Sequence, residues 1–217
     1  WVIGETLITG IGQGYTQTTP LQLCQMTAQL ANGGFKIYPK IIVEENSKSA
    51  EEIMLIINEH RKELEKNLKY NTTNELLGFL SKKEHAPLFK KIKNINLVRE
   101  AMFASTNEIR GTSYKSRIED PKYQFAGKTG TSQVKRITKE DRELDLSTSE
   151  IPYDERDHAL YIAFGPYKNP RYALSIVIEH GGSGSSAAAP IAKKLFKLII
   201  DRHRLREQTR IKKTIKI

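Results

Sequence analysis

FAGKTGTSQVK, Phe125–Lys135, is the stretch on which the reading of this chain turns. It begins apolar, carries two glycines, and sets Lys, Thr and Gly in succession. In a strand, side chains alternate between faces. Lys128 and Gly130 then share one face, and Thr129 and Thr131 share the other. Gly127 and Gly130 remove side chains that would block close approach. On an edge strand the free N–H and C=O groups could pair with an extended peptide. Lys128 would place a fixed positive charge near a carboxylate or near a hydroxyl losing its proton. Thr129 and Thr131 would offer hydroxyls to a carboxylate, and a backbone N–H could stabilise an oxyanion. A given tripeptide of common residues occurs by chance in ~5% of chains this long. The weight therefore falls on the neighbouring sequence.

Downstream, a polar loop from Arg136 to about Arg156 is followed by two strand-like runs, HALYIAFG (158–165) and RYALSIVIEH (171–180). GPYKNP joins them with turn chemistry suited to an antiparallel hairpin. Both alternating sets of the last run are largely apolar, which predicts a strand buried on both faces. GGSGSSAAAPIAKKLFKLIIDRHRL then turns into a closing helix, with Ser185 or Ser186 as its cap and Ile191, Leu195, Leu198 and Ile199 facing the sheet. Upstream, residues 4–15 read as a glycine-punctuated loop. Thr19 and Pro20 open a helix, because a hydroxyl can accept from a first-turn N–H and the first helical position needs no N–H. Asn32, Gly33 and Gly34 stop it. FKIYPKIIVEE reads as extended chain. Residues 46–98 are rich in Lys, Glu and Asn, with candidate helices EEIMLIINEHRKELEKNL and TTNELLGFLSKK. INLVREAMFASTNEI (95–109) is a further helix with Leu97, Ala101 and Met102 on one side, ended by Gly111. Helices, then strands, then a helix is an α+β pattern with an antiparallel sheet.

The chain has 217 residues and a formal charge of +10. From Lys193 onward ten basic residues face two acids, so this end carries +8 of that total. A charge so localised, which includes a basic tail at about 201–217, argues against a nucleic-acid footprint; acidic polymers or a membrane surface could still meet it, but no zinc-finger or RNA-binding signature accompanies it. The single cysteine, Cys24, excludes an internal disulfide and a cysteine-rich zinc site, and reads as a small buried hydrophobe. His158 and His180 sit at strand ends and read as surface histidines, with no second ligand spaced for a metal. No run of about 18 apolar residues occurs, so no spanning helix is expected.

Lys-Thr-Gly belongs, with S-x-x-K and S-D-N, to the motif set of β-lactamases and penicillin-binding proteins. Around it the resemblance becomes specific. GIGQGYTQTTPLQLCQMTAQLANGG resembles the segment that precedes this motif in class B penicillin-binding proteins. FAGKTGTSQV resembles their third motif and its strand, and HALYIAFGPYKNPRYALSIVIEHGGSGSSAAAPIAKKLF their last two strands and closing helix. WVIGETLITGIGQGY most resembles the elongation-type members. The resemblance implies the penicillin-binding protein and serine β-lactamase-like transpeptidase fold, with residues 1–217 its C-terminal portion and about 46–94 a variable helical insertion. It implies acyl transfer from a D-alanyl-D-alanine stem peptide through a serine, with β-lactams as ligands and no cofactor or metal. By the same resemblance Lys128 supports the site's electrostatics and proton network. Thr129 and Thr131 bind the carboxylate, Gly130 lets the substrate strand approach, and the Thr131 backbone N–H forms half of the oxyanion hole. The implied partners are the cell-elongation glycosyltransferase machinery, and the implied place is the periplasmic face of a bacterial inner membrane, with the anchor outside this chain.

The nucleophile is the missing half. Ser132-Gln133-Val134-Lys135 spells S-x-x-K, but residues three apart in a strand point to opposite faces. Ser105-Thr106-Asn107 spells S-x-N, but lies at a helix end, where a polar terminus is the simpler reading. Both motifs precede Lys-Thr-Gly in the family. The expectation is that the serine lies upstream of Trp1, that this chain alone is inactive, and that uncovered apolar surface lets it dimerise or pair with another chain. Two other readings stay open: a β-lactamase-like hydrolase, for which no deacylating base is found, and a non-catalytic interaction module using the basic tail. Upstream sequence containing S-x-x-K would discriminate them.

Overall fold

Three strands form the centre of the fold: β1 (Ala126–Ser132), β2 (His158–Gly165) and β3 (Tyr172–Ile178), antiparallel in the order β1-β2-β3. The computed structural model describes residues 2–12, 14–42, 47–68, 84–89, 91–135, 143 and 146–215. The register pairs Lys128 with Ile162, Gly130 with Leu160 and Thr131 with Ala159, and β3 continues the rows with Ser175, Val177 and Ile178. Pleating therefore gives one face Ala126, Lys128, Gly130 and Ser132, and the other Gly127, Thr129 and Thr131, as the alternation predicts. Among the described residues β1 has one strand neighbour, so it is an edge strand.

The helices are α1 (Ile3–Gly10), α2 (Pro20–Ala31), α3 (Ala50–Leu68), α4 (Ile92–Asn107) and α5 (Ala189–Ile215). α2 starts where Thr19 and Pro20 place it. The Thr19 hydroxyl accepts from the Gln22 N–H, and the Gln22 side chain accepts from the Thr19 N–H. The end of α2 meets α4 over the Lys128 face, where Ala31, Met102, Ala126 and Phe164 are buried together. Cys24 is half-buried rather than buried, its thiol donates to the Ala173 carbonyl at 3.5 Å, and burial raises its pKa. On the other face Tyr161, Ala159 and Ala163 pack with Phe125 against Ala188, Ala189, Ala192, Phe196 and Ile200 of the closing helix and the turn before it. Phe125 and Phe196 stack with ring centres 4.9 Å apart.

Several expectations change. Residues 3–10 are a helix rather than part of a loop: the run from Glu5 to Thr9 has no glycine, and Gly4 and Gly10 only bracket it. α5 is rotated from its expected phase, with Ile191 and Leu198 exposed and alanines inward. Large aromatic side chains already rise from the sheet there, so the first turns of the helix meet them with alanines, and Phe196 and Ile200 follow on the same inward face. Its entry is a wide turn, Gly184–Ala188, and no serine caps it: the Ser186 hydroxyl donates to the Ser183 carbonyl and Ser183 pairs with Ser185. Every residue of β3 is only half-buried, because no strand lies on its outer edge among the described residues. In α4 the inward residues are Ile95, Met102 and Thr106, while Leu97 and Ala101 face solvent. Within FKIYPKIIVEE, the described residues 35–42 form an isolated bridge, Phe35 with Pro87, rather than a strand. TTNELLGFLSKK lies outside the described residues.

α3 is tied to the end of α2. Arg61 on α3 donates to the Asn32 carbonyl at 2.8 Å and lies over the Phe35 ring. A ring nitrogen of buried His60 is 3.3 Å from the His85 carbonyl, and the His85 ring reaches the Lys36 carbonyl at 2.8 Å. The Asn32 carbonyl at the end of α2 thus gains a donor from α3. The basic tail continues α5 through Ile215, and among the described residues no helix is long and apolar enough to cross a membrane.

Candidate active site

The expected site residues line one strand. Lys128 is exposed, and its ammonium donates to the Thr129 carbonyl at 2.7 Å. Thr131 is exposed on the opposite face, and Thr129 is half-buried beside it. Gly130 is held from both sides. A Cβ there would lie 3.3 Å from the Leu160 side chain, and a Cβ on Gly184 would lie 2.3 Å from the Leu160 carbonyl oxygen and 2.7 Å from that of Gly130. The turn into α5 thus rests on the backbones of β1 and β2.

Behind the strand lies a hydroxyl cluster. The Tyr161 hydroxyl meets Thr106 Oγ1 at 2.9 Å and Ser113 Oγ at 3.1 Å. Burial raises the Tyr161 pKa, against the smaller lowering by those two bonds. Asn107 donates to the Phe103 and Phe125 carbonyls, which ties the end of α4 to the start of β1. Ser105 is bonded to Thr112, and Thr112 to Thr129, each pair 3.2 Å apart. The Ser105–Asn107 copy of S-x-N is therefore consumed by structural bonds, and more closely engaged than a polar helix terminus would be. Ser132 ends β1, while Lys135 lies beyond it, bonded to Glu155 at 2.8 Å.

Sequence reasoning passed over two parts of this neighbourhood. Thr112 carried a signal only in the Gly111–Thr112 step before the strand. A cavity of about 560 Å³ also opens at the end of β1, between the loop leading into α2 (Thr16–Thr19) and Ser132, His158, Leu160 and Val177 on the sheet. His158 and His180 are half-buried rather than surface histidines, their ring centres 4.8 Å apart. The His180 N–H donates to His158 Nδ1 at 2.9 Å, so the neutral His158 ring carries its proton on Nε2. His180 Nδ1 faces the Arg156 carbonyl, which only accepts, so this nitrogen is the donor. Alternation alone could not show this pairing, which depends on the turn after β3.

Comparisons with known proteins agree with this fold. The family profile described as the penicillin binding protein transpeptidase domain matches residues 1–197. A peptidoglycan D,D-transpeptidase MrdA of Salmonella typhimurium is 34% identical over 201 residues, which are 93% of this chain and 28% of that protein. The MrdA of Haemophilus influenzae is 31% identical over 196 residues, 90% of this chain and 26% of the relative. This chain thus spans little more than a quarter of the length of these curated relatives. Among solved structures, PBP2 of Helicobacter pylori in complex with MreC superposes with a TM-score of 0.63 at 27% identity, covering 93% of this chain and 28% of that one. PBP2 of Pseudomonas aeruginosa in complex with WCK 5153 gives 0.56 at 31% identity, with 89% and 32% covered. With the profile running through the sheet and into α5, the chain belongs to the penicillin-binding protein transpeptidase family.

Proposed function

We propose that this chain supplies the Lys-Thr-Gly wall of a peptidoglycan D,D-transpeptidase of the elongation type. The observation that carries this is an edge strand with Lys128 and Thr131 exposed and Thr129 and Gly130 half-buried between them, backed by a hairpin and a closing helix, in a chain matched over 93% of its length to MrdA. In this reading residues 1–217 are the C-terminal portion of the domain, about 46–94 is an insertion, and the nucleophilic serine lies in a part of the protein outside the chain. The serine oxygen attacks the carbonyl carbon of the D-alanyl-D-alanine bond, D-alanine leaves, and an amine then takes the acyl group. Lys128 stabilises negative charge and assists proton movement near the serine. Thr129 and Thr131 hold the substrate carboxylate, and the Thr131 N–H contributes to the oxyanion hole. Gly130 leaves the strand edge open to the stem peptide. β-Lactams acylate the same serine. The similarity to a PBP2 in complex with MreC supports an association with the cell-elongation machinery. In this reading the parent protein works on the periplasmic face of the inner membrane.

Labelling with a fluorescent penicillin tests this. The full-length protein that carries the chain is expected to label once, at a serine outside residues 1–217, and Lys128→Ala is expected to slow acylation by about 10²-fold or more. The 217-residue chain alone is expected to remain unlabelled. Stoichiometric labelling of a serine within it, or rapid turnover of the antibiotic, would contradict the assignment.

A further inference from the structure

We propose that Thr112 is a positioning residue for the carboxylate-binding hydroxyl of Thr129. This role rests on the transpeptidase reading above and deepens it. Three hydroxyls run in a line, Ser105 to Thr112 to Thr129, with each oxygen 3.2 Å from the next. The line is anchored at its far end. The Ser105 carbonyl accepts from both the Ser113 N–H and the Ser113 hydroxyl at 3.0 Å, which folds the 108–113 turn back onto α4. Gly111 makes that fold possible: a Cβ there would lie 2.3 Å from the Ser105 carbonyl oxygen. Thr112 follows at once and is thereby set against β1.

The direction of the line follows from hydrogen-bond chemistry. A carboxylate only accepts, so Thr129 must give it the hydroxyl proton. The Thr129 oxygen is then free to accept, and Thr112 is the neighbour that can donate to it. Thr112 in turn accepts from Ser105. A bound carboxylate thus orients all three protons one way, and each bond polarises the next. With Thr112 absent, the Thr129 hydroxyl would have to be oriented by the ligand alone. The effect should therefore follow the charge of the ligand rather than its general fit.

The experiment uses the full-length protein and two acylating compounds, benzylpenicillin and its neutral methyl ester. Thr112→Val keeps the shape and removes the hydroxyl; Thr112→Ser keeps the hydroxyl. Thr112→Val is expected to lower the acylation rate constant for the acid by about 5- to 10-fold, and to leave the ester within about twofold of wild type. Thr112→Ser should restore the acid rate, and Ser105→Ala should lower it by a smaller factor, each with an unchanged melting temperature. Equal losses for acid and ester in Thr112→Val would show a structural role and overturn the proposal, as would no loss for either. If Thr112→Val does not fold, Ser105→Ala carries the same comparison, and equal acid and ester rates relative to wild type overturn the proposal. If the wild-type protein is acylated by neither compound, the transpeptidase reading itself fails and this role falls with it.

Discussion

Single atoms of space decide the wall of this site. Gly184 lies so close to the β1 and β2 backbones that a Cβ would sit 2.3 Å from the Leu160 carbonyl oxygen. Backbone cannot swing aside as a flexible side chain can. Gly184→Ala is therefore expected to destabilise the protein by about 1–3 kcal/mol, read as a lower urea midpoint at unchanged slope. In the sequence, Gly184 looks like one of several glycines in GGSGSS, and nothing there singles it out. Thr112 was equally hidden, since its partner Thr129 lies 17 positions away and the contact depends on a turn. Lys128 and Thr131, by contrast, were legible from alternation, because a strand has a period of two whatever surrounds it.

Legibility at the level of elements followed local chemistry. α2 could be bounded from Thr19-Pro20 and Asn32-Gly33-Gly34, because caps act within a turn of the helix. The phase of α5 could not, since it depends on how much volume the sheet already presents. α3 carries a second local signature: the Glu52 carboxylate accepts from the Ser49 N–H at 2.6 Å, and the Glu52 N–H donates to the Ser49 hydroxyl. The Ser49 backbone bond, first among its causes, holds the Glu52 carboxyl below its ordinary value. A lowered folded pKa means that the cap contributes above the unfolded carboxylate value, ~4.3, and loses its contribution as pH falls through the folded one. Hydrogen exchange in the first turn of α3 should therefore accelerate on acidification below that range, relative to α2, whose cap is uncharged. Equal acceleration in both helices would contradict this.

At the scale of the molecule, much apolar surface stands open among the described residues. α1 buries none of its residues, and Ile3, Leu7 and Ile11 are more than two-thirds exposed at 84%, 70% and 78%. The outer edge of β3 has no strand on it among the described residues. An uncovered apolar helix and an unpaired strand are both sites of association. The 217-residue chain is expected to self-associate, with a sedimentation coefficient that rises across the micromolar range; a concentration-independent monomer would contradict this. The family was legible at this scale because three matching segments occur in order. The tethers made by Arg61 and His85 were not, since they join residues whose spacing follows no periodicity.

The stacking of Gly184 on Gly130 also bears on how such a wall can evolve. Two backbones in contact leave no depth to trade, so inherited change cannot deepen or flatten the strand edge without unseating α5. Variation that preserves the fold is channelled instead to side chains that look outward, such as Thr131, and to Thr112, which supports Thr129. On the transpeptidase reading, a carboxylate-bearing drug would select first among those positions.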